Sequence, residues 1–456
     1  MPAPPTSDVD IAIVGAGAAG LMAGIWAGRT AHAHGTSRRI VLLESSPKLG
    51  RKILISGGGR CNVTNRAVAA TDYAGASRNA IKKVLKRFDV PETVAFFNEL
   101  GLRFKIEEDT GKLFPTTDRA RTVLDALVGE VRRHAEIRYP CRVESITRSG
   151  SGPFHLVGPW GALSAAAVVL ATGGKSIPKT GSDGHGYALA QSLGHSLTPH
   201  LIPALVPLTL PKKHFIRELS GMTLVTALEL GGPTGKRLVR FENSTLCTHF
   251  GLSGPAALDI SRYYLAETRS APDCQLTINW APSWSEETLI ARLRHDDKRR
   301  PFAVLRELLP DRLARTLLDQ WQQDAVVPPA ADETACGQLS NKAIRALARI
   351  VTCMPLPIAG SRGFDFAEAT AGGVPLSEIQ LRRMESRVCP GLFLCGEICD
   401  VDGRIGGFNF QWAWASGYVV GVSVADVANV DVPAAESRAV ESPVADSPVS
   451  GDAPTD

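Results

Sequence analysis

Nine cysteines, an odd number, are scattered through the 456 residues with no CxxC pair among them. That pattern argues against a disulfide framework and against a thiolate zinc site, so no metal is expected. No stretch approaches the roughly 18 consecutive apolar residues of a membrane span, and no membrane partner is expected. The opening Met1–Asp8 has neither the basic nor the apolar region of a secretory signal. A cleavable leader is therefore not expected, and a reducing, cytoplasmic setting is. Aromatics do not interleave with the basic residues as they do in nucleic-acid-binding segments, so no nucleic-acid partner is expected. The length suggests about three domain-sized units. Oligomeric state is not legible.

The net charge of +4 hides an asymmetry: residues 431–456 carry six acids and one arginine, leaving the rest at about +9. That tail is rich in Ala, Val, Ser and Pro without periodicity, and is expected to be disordered. Many cations fall early, among them Lys48, Arg51, Lys52, Arg60, Arg66, Lys82, Lys83, Lys86 and Arg87. A solvated helix face plus a few phosphate ligands accounts for them.

What is present is a fingerprint. The apolar run Asp10–Val14 breaks into Gly15-Ala-Gly17-Ala18-Ala19-Gly20, continues as a helical Leu21–Ala27, and a second apolar run, Ile40–Leu43, ends in Glu44. Strand, tight turn, helix, strand and acid follow in the order a dinucleotide site requires. Gly15 allows the turn, Gly17 leaves room for a pyrophosphate, and Gly20 lets the helix pack on the strand. Phosphates would sit on the unpaired N–H groups at Ala18 and Ala19, at the positive end of the helix dipole. Glu44 would accept both adenosine ribose hydroxyls, which disfavours a 2′-phosphate. FAD or NAD fits this site.

A second glycine cluster, Ser56-Gly57-Gly58-Gly59-Arg60-Cys61-Asn62, brings opposite hydrogen-bonding groups close together around a loop that a ligand can approach. Periodicity predicts two short helices within Ile81–Leu100, divided near Pro91, and a helix Ala120–Val131 capped by Thr117 or Asp118. Cys141–Ile146, Phe154–Val157 and Ala167–Leu170 read as strands, the last running into Thr172-Gly173-Gly174. Prolines 199, 203, 207 and 211 mark a boundary. The block Leu201–Leu356 beyond it holds strands at Met222–Leu230, Arg237–Phe241 and Cys274–Trp280. Four helices follow, near Glu286–Arg294, Phe302–Leu309, Arg312–Gln322 and Lys342–Val351. Gly391–Glu397 is a last buried strand, and Gly406–Gly417 a glycine turn that becomes a helix. No second GxGxxG occurs, so no separate NAD(P)H domain is expected.

Gly15–Gly20, Lys52–Asn65, Gly111–Pro115, Ala171–Gly174, Thr248–Pro255 and Gly396–Asp400 with Gly406–Asn409 occur in that order. Together they resemble the BaiN-like family of NAD(P)/FAD-dependent oxidoreductases. The resemblance implies an α/β fold: a Rossmann-like FAD-binding domain of glutathione-reductase-type topology, interrupted by a small β-barrel with a helical subdomain. It divides the chain into 1–200 with 357–430 for the cofactor, 201–356 for the insert, and the 431–456 tail. It implies non-covalent FAD, held by the fingerprint and Glu44, by Lys52, Gly59, Arg60 and Cys61, by a backbone contact at Val143, and by Thr172 and Gly173. Glu397 and Asp400 would take the ribityl hydroxyls, and Gly407, Phe408 and Asn409 the flavin edge at a helix N-terminus. The implied activity is hydride transfer from transient NAD(P)H, through the flavin, to an electron-poor C=C bond of a small organic substrate. His249 would be the proton donor and Arg60 an anion partner. An FAD-dependent amine oxidase using O₂, and a non-enzymatic or RNA-directed flavoprotein, remain alternatives.

Overall fold

The computed structural model describes residues 8–323 and 327–427; the acidic tail lies outside them. Among these residues the larger sheet is built on five parallel strands: β1 (Val9–Val14), β2 (Ile40–Leu43), β3 (Glu136–Arg138), β4 (Gly161–Leu170) and β5 (Leu392–Leu394), in spatial order β5-β4-β1-β2-β3. Ile11–Val14 and Ile40–Leu43 are buried throughout, as strands covered on both faces must be. The register sets Val14 beside Leu43 and Leu170, and Leu170 beside Leu394. The chain therefore leaves the sheet at one common edge four times, at Gly15, Glu44, Ala171 and Cys395. In an open α/β sheet that carboxyl edge is where ligands bind.

Helix α1 (Ala18–Ala33) follows β1 directly. The two helices expected around Pro91 are Arg78–Leu85 and Val90–Glu99; Asp89 caps the second, with the proline in its first turn. Ala120–Val131 is helical as expected, but neither Thr117 nor Asp118 caps it. Lys105 takes the Asp118 carboxylate, and Thr117 shares a hydrogen bond with Thr122. The strand expected at Cys141–Ile146 begins only at Ser145 and runs to Arg148; ahead of it the Cys141 N–H donates to Glu44 O at 2.6 Å, at the end of β2.

A separate apolar core, from Leu208 to Leu356, sits under an antiparallel sheet of seven strands among the described residues. Its end strands, Met354–Pro355 and Gly360–Ser361, share no ladder. Residues 356–359 cross between them, where Ala359 N donates to Thr209 O at 2.8 Å. The ladders of the expected barrel thus stay open between these two strands, with residues 356–359 spanning the gap. Helices Glu286–His295, Pro301–Leu305, Asp311–Gln322 and Asn341–Thr352 bury their apolar faces in the same core.

Two further helices position the site. Helix α2 (Pro255–Ser270), absent from the sequence reading, carries Asp259 and Arg262 toward the other core. Asp259 accepts from Ile405 N at 2.8 Å and from Arg404 Nε and Nη2 at 3.1 Å each. Arg262 pairs with Asp402, donating from Nη2 to Oδ1 at 2.9 Å, with its Nε 2.8 Å from Oδ2. Helix α3 (Phe408–Val427) then lies along α1. A Cβ on Gly417 would stand 2.6 Å from Ala19 O and one on Gly421 2.7 Å from Ala23 O, so the backbones meet without intervening side chains. That contact fixes the start of α3 relative to the fingerprint.

Candidate active site

At the carboxyl edge of the sheet lies a cleft of about 530 Å³. Its first wall is the fingerprint, where each glycine meets a different constraint. Gly15 has φ +102°, and a Cβ there would fall 2.5 Å from Ala171 O; a Cβ on Gly20 would fall 1.9 Å from Gly15 O. Both positions are closed by backbone. A Cβ on Gly17 would meet nothing within 4 Å, and Gly17, Ala18 and Ala19 line the cleft. The open side of Gly17 and the first N–H groups of α1 form a cradle for an anion. Gly20 lies behind it, in the helix–strand contact.

Glu44 faces the same space from the end of β2. Its Oε2 accepts from Ala16 N at 2.9 Å and its Oε1 from Ser46 N at 2.8 Å, which aims the carboxylate and leaves lone pairs for hydroxyl donors. Val143, Thr172 and Gly173 also line the cleft. Thr172 Oγ1 and Asn62 Oδ1, both on the lining, are buried and without a hydrogen-bond partner among the described residues. Buried polar atoms left this way are what a polar ligand satisfies.

The far wall joins segments distant in the chain. Lys52 Nζ donates at 2.6 Å to Glu397 Oε2 and at 2.6 Å to Ser176 Oγ; Ser176 in turn donates to Glu397 Oε1 at 2.7 Å, and Thr370 N to that same oxygen at 2.9 Å. Gly406, Gly407 and Asn409 bring the start of α3 into the lining. Asn409 exchanges both of its amide bonds with Gly403, at 2.8 and 3.0 Å, and so braces the turn. Arg60 also lines the cleft, its guanidinium 3.9 Å above the Phe114 ring and 3.7 Å from Glu107.

Other residues named from the sequence stand elsewhere. Gly59 is exposed beside the lining. Cys61 is wholly buried beneath the loop, and burial pushes its thiol up to about 12. Phe408 is buried against Tyr73, whose hydroxyl donates to Phe408 O at 2.8 Å. Asp400 spends its carbonyl on Ala76 N at 2.9 Å and does not reach the lining. His249 is exposed on the insert, its ring against Phe250 and its carbonyl accepting from Arg217 Nε at 2.6 Å, outside the cleft.

The structure adds residues the sequence did not flag. Ser176 and Thr370 order Glu397, and Lys112, Arg404 and Glu368 complete the wall beside Gly406. Glu368 has its N–H on Leu205 O at 3.2 Å, and no hydrogen bond or ion pair engages its carboxylate among the described residues. It is open to the cleft but ringed by protein, which holds its carboxyl above the usual range against the pull of Lys112. A lone Glu in Ala367-Glu-Ala-Thr370 carries no motif from which this placement could be read.

An anion cradle at α1, the Glu44 carboxylate at the end of β2, unpaired polar atoms at Thr172 and Asn62, and a helix start at Gly406–Asn409 fit the successive parts of FAD. The chain is similar to a 3-dehydro-bile acid Δ(4,6)-reductase of Clostridium scindens, 34% identical over 422 residues, 91% of this chain and 99% of the relative. It is equally similar to a ribosomal RNA dihydrouridine synthase of Escherichia coli K12, 34% identical over 411 residues, 90% of this chain and 96% of the relative. Among solved structures it resembles a 3-ketosteroid Δ4-(5α)-dehydrogenase of Rhodococcus jostii, with 15% identity, TM-score 0.46, and coverage of 92% of this chain and 98% of that one. The family model of the HI0933-like protein Rossmann domain matches residues 9–423, and the chain belongs to that family.

Proposed function

We propose that this chain is an FAD-dependent oxidoreductase that uses NAD(P)H to reduce an electron-poor C=C bond. The observation that carries the reading is a single cleft lined both by the fingerprint and by the start of α3. Two relatives point to the same chemistry by their names: a Δ(4,6)-reductase acts on ring double bonds, and dihydrouridine is uridine with one ring C=C bond saturated. In both, an alkene conjugated to a carbonyl takes up two hydrogens.

When bound, FAD supplies hydride transfer. Gly17 and the N-terminus of α1 hold the pyrophosphate, and Glu44 binds the ribose while Val143 offers its backbone to adenine. Glu397, fixed by Lys52 and Ser176, meets the ribityl chain. The start of α3 presents N–H groups and a positive dipole end to the ring edge, where negative charge is stabilised. Lys52 and Glu397 neutralise each other, so the ribityl wall adds little net charge. Arg60, over Phe114, is placed to meet an anionic group on the nicotinamide donor or the substrate.

A small organic substrate is the first reading. A uracil base within RNA is the second, favoured by the synthase names and by surplus cations such as Lys82 and Lys83, exposed on Arg78–Leu85 with no ion pair among the described residues. Anaerobic titration of the purified flavoprotein with NADH, NADPH and amines tests the redox half of the proposal. Bleaching by a reduced nicotinamide supports it. Bleaching by amines alone would make the protein an amine oxidase.

A further inference from the structure

With His249 outside the cleft, the proposed reaction lacks a proton source. Reduction of a polarised alkene needs a proton at the carbon next to the one that receives hydride. The tyrosines and cysteines in and around the cleft are poor choices. Cys61 is sealed from the cleft, and Cys141 is held above the ordinary thiol range. Tyr187, off the lining, spends its hydroxyl on Glu397 O at 3.4 Å. Asp183 is occupied by Arg142 at 2.8 Å, Glu397 by Lys52 and Ser176, and Glu44 by backbone N–H groups.

Glu368 remains. It precedes the short strand Ala369–Ala371, which pairs with Ile202–Ala204 where the insert begins. It lines the cleft together with Ile405, Gly406 and Gly407 at the turn into α3, and charged groups surround it there. Lys112 is one, and its Cε lies 3.8 Å from where a Gly406 Cβ would stand. Asp259 is another, bonded to Ile405 N at 2.8 Å. Lys52 is the third, and Arg404 lines the same wall. Glu368 thus lines the same cleft as Gly406, Gly407 and Asn409 at the start of α3, and no hydrogen bond or ion pair among the described residues engages its carboxylate.

We propose that Glu368 is the proton donor, its carboxylic acid protonating the substrate carbon adjacent to the one that takes hydride. The inference rests on the C=C-reductase reading. The alkene π bond breaks, and one C–H bond forms with the hydride delivered from the reduced cofactor. The electron pair left on the neighbouring carbon takes the Glu368 proton, leaving a carboxylate that solvent reprotonates. The substrate is reduced by two electrons, with NAD(P)H as the ultimate reductant. The protein crowded around this cleft-exposed side chain favours the neutral acid, and the Lys112 and Lys52 cations limit that effect so that the proton still leaves.

The test compares wild type, Glu368→Gln, Glu368→Asp and Lys112→Met for FAD content, anaerobic bleaching by NAD(P)H, and reoxidation by cyclohex-2-enone and by a uridine-containing oligoribonucleotide. Infrared pH-difference spectra of the FAD-free wild type and E368Q form a separate readout. The proposal expects E368Q to keep FAD and bleaching, to slow reoxidation by roughly 10²-fold or more, and to lose the fall in rate seen in wild type as pH rises past the Glu368 titration. E368D should recover part of the rate. A protonated-carboxyl band that titrates above the ordinary glutamate range should vanish in E368Q. Unchanged reoxidation in E368Q, loss of FAD from it, absence of that band, or the large loss falling on K112M instead would each overturn the assignment. A wild type that bleaches but is reoxidised by neither alkene would refute the C=C-reductase reading itself and the proton donor with it. That outcome is told apart because it is seen before any variant is made.

Discussion

Gly17 and Gly20 are three residues apart in one turn, and substituting them should fail in different ways. A Cβ on Gly17 meets nothing within 4 Å, and the residue sits at φ −80°, ψ −167°, open to any side chain. Gly17→Val should therefore fold, with a cost of about 1 kcal/mol at most for a poorer helix cap. Its methyl groups would occupy the cradle where a pyrophosphate must approach the backbone. Wild type at 100 times its FAD dissociation constant should gain about 2.7 kcal/mol over its FAD-free form, and G17V should gain none of it. Gly20→Ala places a Cβ 1.9 Å from Gly15 O, and a backbone oxygen cannot rotate aside. It should destabilise the FAD-free protein by about 1–3 kcal/mol through overpacking. Chemical denaturation of each variant, FAD-free and with excess FAD, separates the two. G17V with a wild-type FAD response would refute the placement of the pyrophosphate, and G20A with wild-type FAD-free stability would refute the backbone packing.

Three further outcomes follow from the geometry. Glu44→Ala should cost more than a lost ribose contact, because Ala16 N and Ser46 N lose their acceptor; about 1–3 kcal/mol of stability should go with the FAD affinity, read from the same denaturation curves. Asp259→Ala leaves the Ile405 N–H without its acceptor and Arg404, partly open to solvent, with only Asp72 at 3.8 Å; the loss should be about 1–3 kcal/mol with looser FAD, checked by urea unfolding and flavin release. Burial pushes the Glu130 carboxyl up, but Arg29 at 2.6 Å, with His134, outweighs it and holds Glu130 below its ordinary range. Its stabilisation is full above the unfolded-state pKa and is lost as pH falls through the lowered native one, so Glu130→Gln should flatten the acid limb of a urea-midpoint-versus-pH curve.

The fingerprint was legible because its logic is local: turn, approach and packing fall within six residues, and Glu44 follows on the adjacent strand. The helices around Pro91 and at Ala120–Val131 were legible for the same reason. Partners far apart in the chain were not. Lys52 stood out in its loop, but its bond to Glu397 spans 345 residues and depends on the whole fold. Helix α2 escaped because its buried face mixes Asp259 and Ser261 with Ala256, Ala257 and Ile260, so the apolar stripe is interrupted by the residues that reach across to Arg404 and Val206. Thr248–Pro255 looked like an active-site loop for its hydroxyl, imidazole and glycines. In the structure Thr248 Oγ1 instead closes a turn on Gly251, at 2.9 and 3.1 Å, and the loop feeds α2. Chemical residue types without distances could not separate those uses.

The central claim is that one cleft holds FAD and passes electrons from a reduced nicotinamide to an electron-poor C=C bond. The most direct measurement is anaerobic: bleach the purified flavoprotein with NADH or NADPH, mix it with a cyclic enone or a uridine-containing RNA, and weigh the product by mass spectrometry. The account predicts return of the oxidised flavin spectrum together with a product heavier by two hydrogens. Bleaching by amines alone, or reoxidation by O₂ with both alkenes unchanged, would contradict it.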